Sequence, residues 1–246
     1  MPRFFMEHVD IGSPTVVITG RDAEHIKVLR MRPGEALTIC NGKGTDLHCT
    51  LVSSDGKTAY ADVQEAVPNA SEASLPIHIY AGLAKGDRVD YIVQKCTELG
   101  AHDITFFHSA RCIVRLDPKK GAAAKLDRLQ RIAEEAAKQS GRGIIPQVRY
   151  LDSYEAMVEE AAQSDLKLFL YETGDRISMQ DAIRQVTIPR SAAIITGPEG
   201  GFEAEEAGLA REKGCSVCAM GPRILRCETA PLIPLTAILY ETGNLN

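Results

Sequence analysis

The chain has 246 residues, of which 44% are hydrophobic and 25% charged, with a formal net charge of −5 at neutral pH. This composition is typical of a folded globular protein and excludes wholesale disorder, which requires fewer apolar residues and a higher net charge. No apolar run approaches the ~18 residues of a membrane span, and the N-terminus lacks the apolar core of a signal peptide. We therefore expect a cytoplasmic protein, not a membrane protein, with seven reduced cysteines. Because the balance is acidic, a nucleic-acid partner would have to contact a local basic patch.

The first part of the chain alternates short β-like runs with turns. Strands are predicted over residues 15–19, 36–40, 46–52 and 58–67, and one helix over 22–30. The turns 41–44 and 54–57 are rich in residues that tolerate positive φ. Closely spaced strands predict a small β-barrel within residues 1–70. The Pro- and Ser-containing stretch at about 68–76 predicts a linker.

From residue 76 onward, strands alternate with helices. Apolar runs predict strands over 77–83, 104–107, 166–171, 192–196 and 215–220. Helices are predicted over 87–99, 119–140, 153–162, 178–186 and 203–213. This alternation predicts an α/β domain over 76–246, with a mostly parallel sheet covered on both faces. Ligands bind beyond the carboxyl ends of such strands, which directs attention to the loops after Tyr171, Thr196 and Met220.

The loop after Thr196 reads Gly-Pro-Glu-Gly-Gly-Phe over residues 197–202. Its glycines allow the backbone to approach a ligand closely, and the helix that follows offers free N–H groups. The pattern is neither a Walker loop nor a GxGxxG loop. On spacing alone, a Gly-rich turn followed by an acidic first helical turn is the simpler interpretation.

The loop over residues 220–230 carries two arginines, Arg223 and Arg226. Arginines at a strand end can hold an anion or a developing negative charge. The alternative is that they are solvated, with Glu228 and Thr229 serving the start of the last helix. Cys215 and Cys218 match C-x-x-C but lie in a predicted strand, so we interpret them as buried thiols. The six histidines have no metal-ligand spacing, and no metal is expected.

Six motifs in order resemble the RsmE-type enzymes of the SPOUT methyltransferases, which methylate N3 of a uridine in 16S ribosomal RNA. They are Arg3-Phe4-Phe5, residues 25–34, Lys85-Gly86-Asp87 with residues 94–100, residues 136–142, residues 197–202 and residues 220–230. The match covers nearly the whole chain. Three positions depart from the pattern: Cys227 stands where the family usually has Thr, Ala110 where Glu is expected, and Pro234 lies inside the last helix.

The resemblance implies a PUA-like β-barrel followed by a SPOUT α/β domain whose last segment threads a trefoil knot. It also implies a homodimer that binds S-adenosylmethionine and acts on 16S ribosomal RNA or the small ribosomal subunit. The residues that would line the cofactor are Tyr171, Glu172, Thr196, Gly197, Glu199, Gly200, Gly201, Met220, Gly221, Ile224, Leu225, Thr229 and Ala230.

For catalysis, our hypothesis is that Arg226 stabilises negative charge as uridine N3 loses its proton. The proton acceptor stays open between Glu199, Glu228 and water. Gln139 and Arg142 would help to place the base. The basic residues considered for RNA binding are Arg21, Lys27, Arg30, Arg32 and Arg111, with Arg115, Lys119 and Lys120 near Arg111. For any single one of these cations, a solvated surface is the plainer interpretation.

Three alternatives remain at this point. The chain could be a SPOUT enzyme with another RNA target, or a non-catalytic ribosome-assembly factor that keeps the fold. It could also be a small-molecule α/β enzyme with a nucleotide cofactor, although the β-rich N-terminal part and the basic clusters would then have no purpose.

Overall fold

The computed structural model describes residues 1–6, 8–116 and 121–245. The chain forms two compact units. The first comprises Met1–Glu72 with Ala137–Ile145, and the second Ala73–Ala136 with Pro146–Asn246. The sequence places a boundary at about 68–76 but does not indicate that 137–145 belongs with the N-terminal residues.

The first unit is a five-stranded sheet with one helix. Its elements are β1 (Arg3–Phe5), β2 (Thr15–Thr19), α1 (Gly20–Val28), β3 (Ala36–Cys40), β4 (Thr45–Ser54) and β5 (Thr58–Pro68). The strand order is β1-β3-β4-β5-β2, antiparallel except for the β1–β3 pair. Two register shifts between β4 and β5 curl the sheet around a core that includes Phe4, Ile18 and Leu37. The predicted β-rich first part with a single helix is confirmed.

The segment 137–145 joins this unit through the carboxylate of Glu72. One Glu72 oxygen accepts hydrogen bonds from the backbone N–H groups of Gly143 at 2.7 Å and Ile144 at 2.8 Å. The other accepts a bond from Arg142 Nη2 at 2.7 Å. Arg142 is only 2% exposed. The side chain of Arg142, which was expected to help place an RNA base, is thus buried against Glu72 within the first unit.

The second unit is an α/β domain. Its elements are β6 (Ile77–Gly82), α2 (Arg88–Leu99), β7 (Asp103–Phe107), α3 (Ala122–Ser140), β8 (Gln147–Leu151), α4 (Tyr154–Ala161), β9 (Leu166–Leu170), β10 (Ile177–Ser178), α5 (Met179–Arg184), β11 (Ala192–Thr196), α6 (Ala204–Glu212), β12 (Ser216–Ala219) and α7 (Leu232–Glu241). The end of α3, from Ala137 onward, belongs to the first unit. The sheet order is β10-β12-β9-β11-β6-β7-β8, and every pair is parallel. The predicted parallel sheet is therefore confirmed, and the knot stays a prediction.

Two helices bear on details of the sequence interpretation. The predicted start of the long helix at Lys119 lies outside the described residues, and the described part of α3 begins at Ala122. Pro234 is the third residue of α7. Because N–H groups in the first helical turn have no intrahelical acceptor, a proline there removes no backbone hydrogen bond. No helix in the described ranges has both the length and the apolarity needed to cross a membrane.

Candidate active site

Three neighbouring strands of the large sheet, β12, β9 and β11, end at the same edge. The loops that follow them enclose a cavity of about 500 Å³. The backbone N–H of Tyr171 donates to the Cys218 carbonyl at 3.0 Å, which joins the ends of β9 and β12. The three loops selected from the sequence do come together.

The loop after β11 is packed so closely that side chains are excluded at particular positions. The Gly201 N–H donates to the Pro198 carbonyl at 3.0 Å, and Gly201 has a φ of +69°. A Cβ on Gly201 would lie 2.9 Å from Glu172 Oε1. At the end of β6, a Cβ on Gly82 would lie 2.4 Å from the backbone nitrogen of Pro198. The glycines thus keep the loop tightly folded beside the cavity.

Arg111 holds the outer side of this loop. Its Nε and Nη2 atoms each donate to the Glu203 carboxylate at 2.8 Å, and Nη1 donates to the Gly200 carbonyl at 3.1 Å. The side chain is 44% exposed. In this structure Arg111, considered as an RNA contact, orders the glycine loop.

A charged cluster lies at one side of the cavity. Glu199 Oε1 accepts hydrogen bonds from the Lys85 backbone N–H at 2.9 Å and from Arg88 Nη1 at 2.6 Å. Burial alone would raise the pKa of Glu199, but these two donors stabilise the carboxylate and bring its pKa below the ordinary value. Glu199 is therefore a weak proton acceptor, and its contacts suit it to positioning Arg88.

Glu228 lies on the other side of Arg88. Its Oε2 is 3.6 Å from Arg88 Nε and accepts a hydrogen bond from Cys227 Sγ at 3.3 Å. Arg226, 81% exposed, has its Nη1 3.9 Å from Glu228 Oε1. Burial raises the pKa of Cys227 to about 12, so at neutral pH this residue is a protonated thiol that can donate.

Most of the residues expected to bind the cofactor line the cavity. Those that do are Tyr171, Glu172, Gly197, Glu199, Gly201, Met220, Gly221, Ile224, Leu225 and Ala230, together with Arg226 and Glu228. Thr196, Gly200 and Thr229 do not line its wall. Thr196 is buried within β11, Gly200 lies beneath Arg111, and Thr229 faces a neighbouring cavity.

Sequence reasoning missed several residues of the cavity wall. They are Arg88, Leu170, Arg176, Cys218 and Ala219, whereas Pro198, Phe202, Pro222 and Arg223 lie in the two loops selected from the sequence but were not among the residues expected to bind the cofactor. Arg88 begins α2, directly after the loop that follows β6, and β6 is the neighbour of β11. The strand-end rule that selected the other loops, applied to β6 as well, would have pointed to Lys85-Gly86-Asp87.

The other cations considered for RNA binding lie apart from this cavity's wall. Arg21, Lys27, Arg30 and Arg32 are exposed on α1 and the residues after it, and Gln139 is exposed in the first unit. Arg115 forms an ion pair with Asp152 at 2.8 Å. Lys119 and Lys120 lie outside the described residues.

The cavity chemistry fits an amphipathic ligand with charges of both signs. Leu170, Phe202 and Leu225 offer apolar surface, and the glycine loop offers backbone groups. Glu172 can attract a cationic group, whereas Arg176 and Arg223 can attract a carboxylate. Within the described ranges, no three His, Cys, Asp or Glu side chains form a metal-binding group. Cys215 and Cys218 are free and buried, as predicted.

Comparison with known proteins identifies the family. A family model described as the RNA methyltransferase domain matches residues 71–239, and one described as the RNA methyltransferase PUA domain matches residues 18–64. The ribosomal RNA small subunit methyltransferase E of Bacillus subtilis is 37% identical over 98% of this chain and 97% of its own length. The chain belongs to the ribosomal RNA small subunit methyltransferase E family.

Solved structures agree with this assignment. The family member of Neisseria gonorrhoeae, bound to S-adenosylmethionine, has a TM-score of 0.82 and 33% identity, with 97% of each chain covered. A structure from Legionella pneumophila in complex with the same cofactor has a TM-score of 0.82 and 30% identity, covering 97% of this chain and 96% of the other. The predicted class, an S-adenosylmethionine-dependent RNA methyltransferase with a PUA-like first part and a SPOUT α/β domain, is confirmed.

Proposed function

We propose that this chain transfers the methyl group of S-adenosylmethionine to N3 of a specific uridine in 16S ribosomal RNA of the small subunit. The observation that carries the proposal is the glycine-walled cavity at the ends of β9, β11 and β12, in a chain of this family. The related Neisseria structure holds the same cofactor.

The cavity supplies the groups that the cofactor needs. Backbone groups of Gly197, Gly201 and Gly221 can pair with an adenine edge, and the apolar wall can pack against the ring. Glu172 suits the cationic part of the methionine moiety, and Arg176 or Arg223 its carboxylate. When bound, the cofactor supplies a methyl group on a sulfonium, and the electron pair of the breaking C–S bond stays on sulfur.

Residues of this chain stabilise the negative charge on the acceptor base and accept its proton. N3 of uridine must lose its proton before its electron pair can bond the methyl carbon, and the negative charge spreads onto the flanking oxygens. Arg226 stabilises that charge but cannot accept the proton, because a guanidinium stays protonated. Because Glu199 is committed to Lys85 and Arg88, we assign the N3 proton to Glu228.

The acceptor must be unpaired, because N3 lies on the pairing edge of the base. The exposed cations of the first unit, Arg21, Lys27, Arg30 and Arg32, would contact phosphates and so position the RNA. This contact must be strong enough to offset a net charge of −5 and should weaken steeply with salt. The proposal includes a homodimer that works in the cytoplasm, where ribosomal subunits are its substrate.

The proposal is tested with labelled S-adenosylmethionine and small ribosomal subunits that lack the modification. After incubation the RNA is digested to nucleosides, and the labelled product is identified by mass and chromatography against the isomeric methyluridines. We expect 3-methyluridine. A different methylated nucleoside would indicate another RNA target, and cofactor binding without transfer to subunits or free RNA would favour a non-catalytic assembly factor.

Replacing Arg226 by alanine tests its role in the reaction. Removing one donor that stabilises transition-state charge typically lowers kcat by about 10²–10³-fold. We expect that loss, with an unchanged Kd for S-adenosylmethionine in calorimetry. Arg190→Ala is the control, since Arg190 is also highly exposed in the second unit but does not line the cavity. Wild-type turnover in Arg226→Ala would remove Arg226 from the mechanism.

A further inference from the structure

A second cavity of about 610 Å³ adjoins the first and is more open to solvent. It is lined by the loop after β6, the first turn of α2 and the pair Glu228-Thr229. Because β6 follows β11 in the sheet, this cavity lies beyond the end of the next strand along the same edge.

The two cavities share part of their walls. Arg88 and Glu228 line both of them. A ligand in the first cavity and a ligand in the second would therefore meet at these two side chains. Methyl transfer requires such contact, because the donor and acceptor atoms must be adjacent and in line.

We infer that the second cavity receives the extruded uracil base, with Tyr91 stacking on the ring and Arg88 donating to the base oxygen that becomes negative. This inference rests on the proposed function and adds the acceptor subsite. It assigns roles to Arg88 and Tyr91 of α2, to which neither the sequence motifs nor the proposed binding of the cofactor assigns a role.

The contacts of Arg88 suit this role. Nη1 donates to Glu199 at 2.6 Å, and Nε is 3.6 Å from Glu228. These contacts fix the guanidinium plane and leave Nη2 without a partner among the described residues. The side chain is 39% exposed. A fixed donor at the junction of two cavities can stabilise an imide oxygen while Glu228, beside it, takes the N3 proton.

Tyr91 supplies the surface for the base. It lies in the first turns of α2, where its N–H donates to the Asp87 carbonyl at 3.0 Å, and it is 44% exposed. Aromatic side chains bind extruded or single-stranded bases by stacking, which depends on the ring and not on the hydroxyl. Lys85, which also lines this cavity, is exposed and can contact the phosphate of the same nucleotide.

The experiment compares Tyr91→Ala, Tyr91→Phe and the control Tyr240→Ala. Tyr240 is a tyrosine of the same unit, 70% exposed on α7, and lines neither cavity. We expect Tyr91→Ala to weaken binding of unmodified subunits about tenfold, measured without cofactor, and to raise KM similarly. Tyr91→Phe should behave as wild type, and the Kd for S-adenosylmethionine should stay unchanged in all three.

Arg88 is tested by the pH profile. Removing a cation beside the developing anion makes the N3 proton harder to remove, so the rise of kcat with pH should move to higher pH in Arg88→Ala. Arg88→Lys should restore part of the shift, since it keeps the charge. A lower kcat with an unmoved profile would contradict a contact with the anion.

A crosslink provides a direct measurement of the subsite. Subunits carrying 4-thiouridine at the methylated position are irradiated with the wild-type protein, and the attached peptide is identified by mass. We expect a peptide containing residues 85–91. If wild type forms 3-methyluridine but Tyr91→Ala binds like Tyr240→Ala and the crosslink lies elsewhere, the inference is wrong and the proposed function stands. If wild type forms no 3-methyluridine, both fail.

Discussion

Arg30 is the only non-glycine residue in the described part of the chain with a positive φ, at +55°. It follows α1, where its N–H donates to the Lys27 carbonyl at 3.0 Å and the Met31 N–H donates to the Ile26 carbonyl at 3.2 Å. This is the Schellman arrangement that ends many helices, and glycine usually occupies this position. An L-residue in this left-handed conformation costs roughly 1–2 kcal/mol of folding stability. We therefore expect the exposed side chain of Arg30 to have a role other than stabilising the fold.

Arg30→Gly should therefore separate stability from RNA binding. We expect the free energy of unfolding to rise by about 1 kcal/mol, because glycine relieves the backbone strain. RNA affinity should fall, and its salt dependence should decrease by about one released counterion. Urea unfolding and filter binding at several salt concentrations measure the two effects.

The control is Arg21→Gly, which removes the same charge from an ordinary helical position of α1. It should weaken RNA binding without gaining stability. Unchanged RNA affinity in Arg30→Gly would contradict a phosphate contact at this position.

For single residues, the sequence indicated which arginines to consider but not which carboxylates they pair with. Arg111 and Arg142 were predicted to contact RNA, and in the structure each forms an ion pair within its own unit. Their partners, Glu203 and Glu72, lie 92 and 70 residues away in the chain. No local pattern records a pairing over that distance, so a single sequence does not distinguish a solvent-exposed cation from one already paired.

At the scale of elements, the site depends on how closely the end of β6 approaches the loop after β11. Gly82→Ala would place a Cβ 2.4 Å from the Pro198 backbone nitrogen, and a backbone atom cannot move aside cheaply. We expect the glycine loop to shift, the Kd for S-adenosylmethionine to rise at least about tenfold, and the melting temperature to fall.

Gly208→Ala is the matched control for Gly82→Ala. Gly208 lies in α6, where a Cβ meets no atom within 4 Å. Alanine there should leave cofactor binding unchanged and stabilise the helix by up to ~1 kcal/mol. Calorimetry and thermal unfolding compare the two variants, and an unaltered Kd in Gly82→Ala would show that the contact does not shape the cavity.

Strands with continuous apolar runs were predicted, and those without were missed. β8 is a partly exposed edge strand with Gln147 and Arg149 among its five residues, and β10 has only two residues. The order of the strands within the sheet, β12-β9-β11, also could not be predicted from their order along the chain. The loops of the site were found only because carboxyl ends of parallel strands share one edge.

At the scale of the whole molecule, an ion pair between buried Asp46 and partly buried Arg3 contributes to stability in the first unit. Arg3 of β1 donates to both oxygens of Asp46 of β4 at 2.6 and 2.8 Å, and Asn69 Nδ2 donates to Asp46 at 2.8 Å. Burial alone would raise the pKa of Asp46, but these donors outweigh it and hold the pKa below the ordinary value. A lowered pKa stabilises the fold above the unfolded pKa, and this stability is lost as pH falls through the folded pKa.

Asp46→Asn should therefore destabilise the protein at neutral pH. Leaving a fully buried cation unpaired typically costs about 3–5 kcal/mol, and because the Arg3 side chain is 17% exposed, we expect a loss below that range. Below pH 4, protonation of wild-type Asp46 should progressively reduce the difference between the two proteins. Urea unfolding at a series of pH values measures this difference, and a gap that stays constant down to pH 3 would contradict the ion pair as its cause.

The two-part organisation was visible in the sequence because the pattern changes from β-rich to alternating at the Pro- and Ser-containing stretch. The sequence did not show that residues 137–145 belong to the first unit. This placement depends on hydrogen bonds that Glu72 accepts from Gly143 and Ile144, which are more than 70 residues away in the chain. In the site, the glycine loop and Arg226 were recognised, whereas Arg88 emerged only from the order of the strands.

The most direct test of the central proposal is reverse transcription of 16S ribosomal RNA from cells that lack this gene, complemented by wild type or Arg226→Ala. A methyl group on uridine N3 blocks base pairing and therefore stops the enzyme that copies the RNA. We expect one new stop, immediately 3′ of a uridine, in RNA from wild-type complementation and none with Arg226→Ala. RNA without any stop dependent on this chain would contradict methylation at N3.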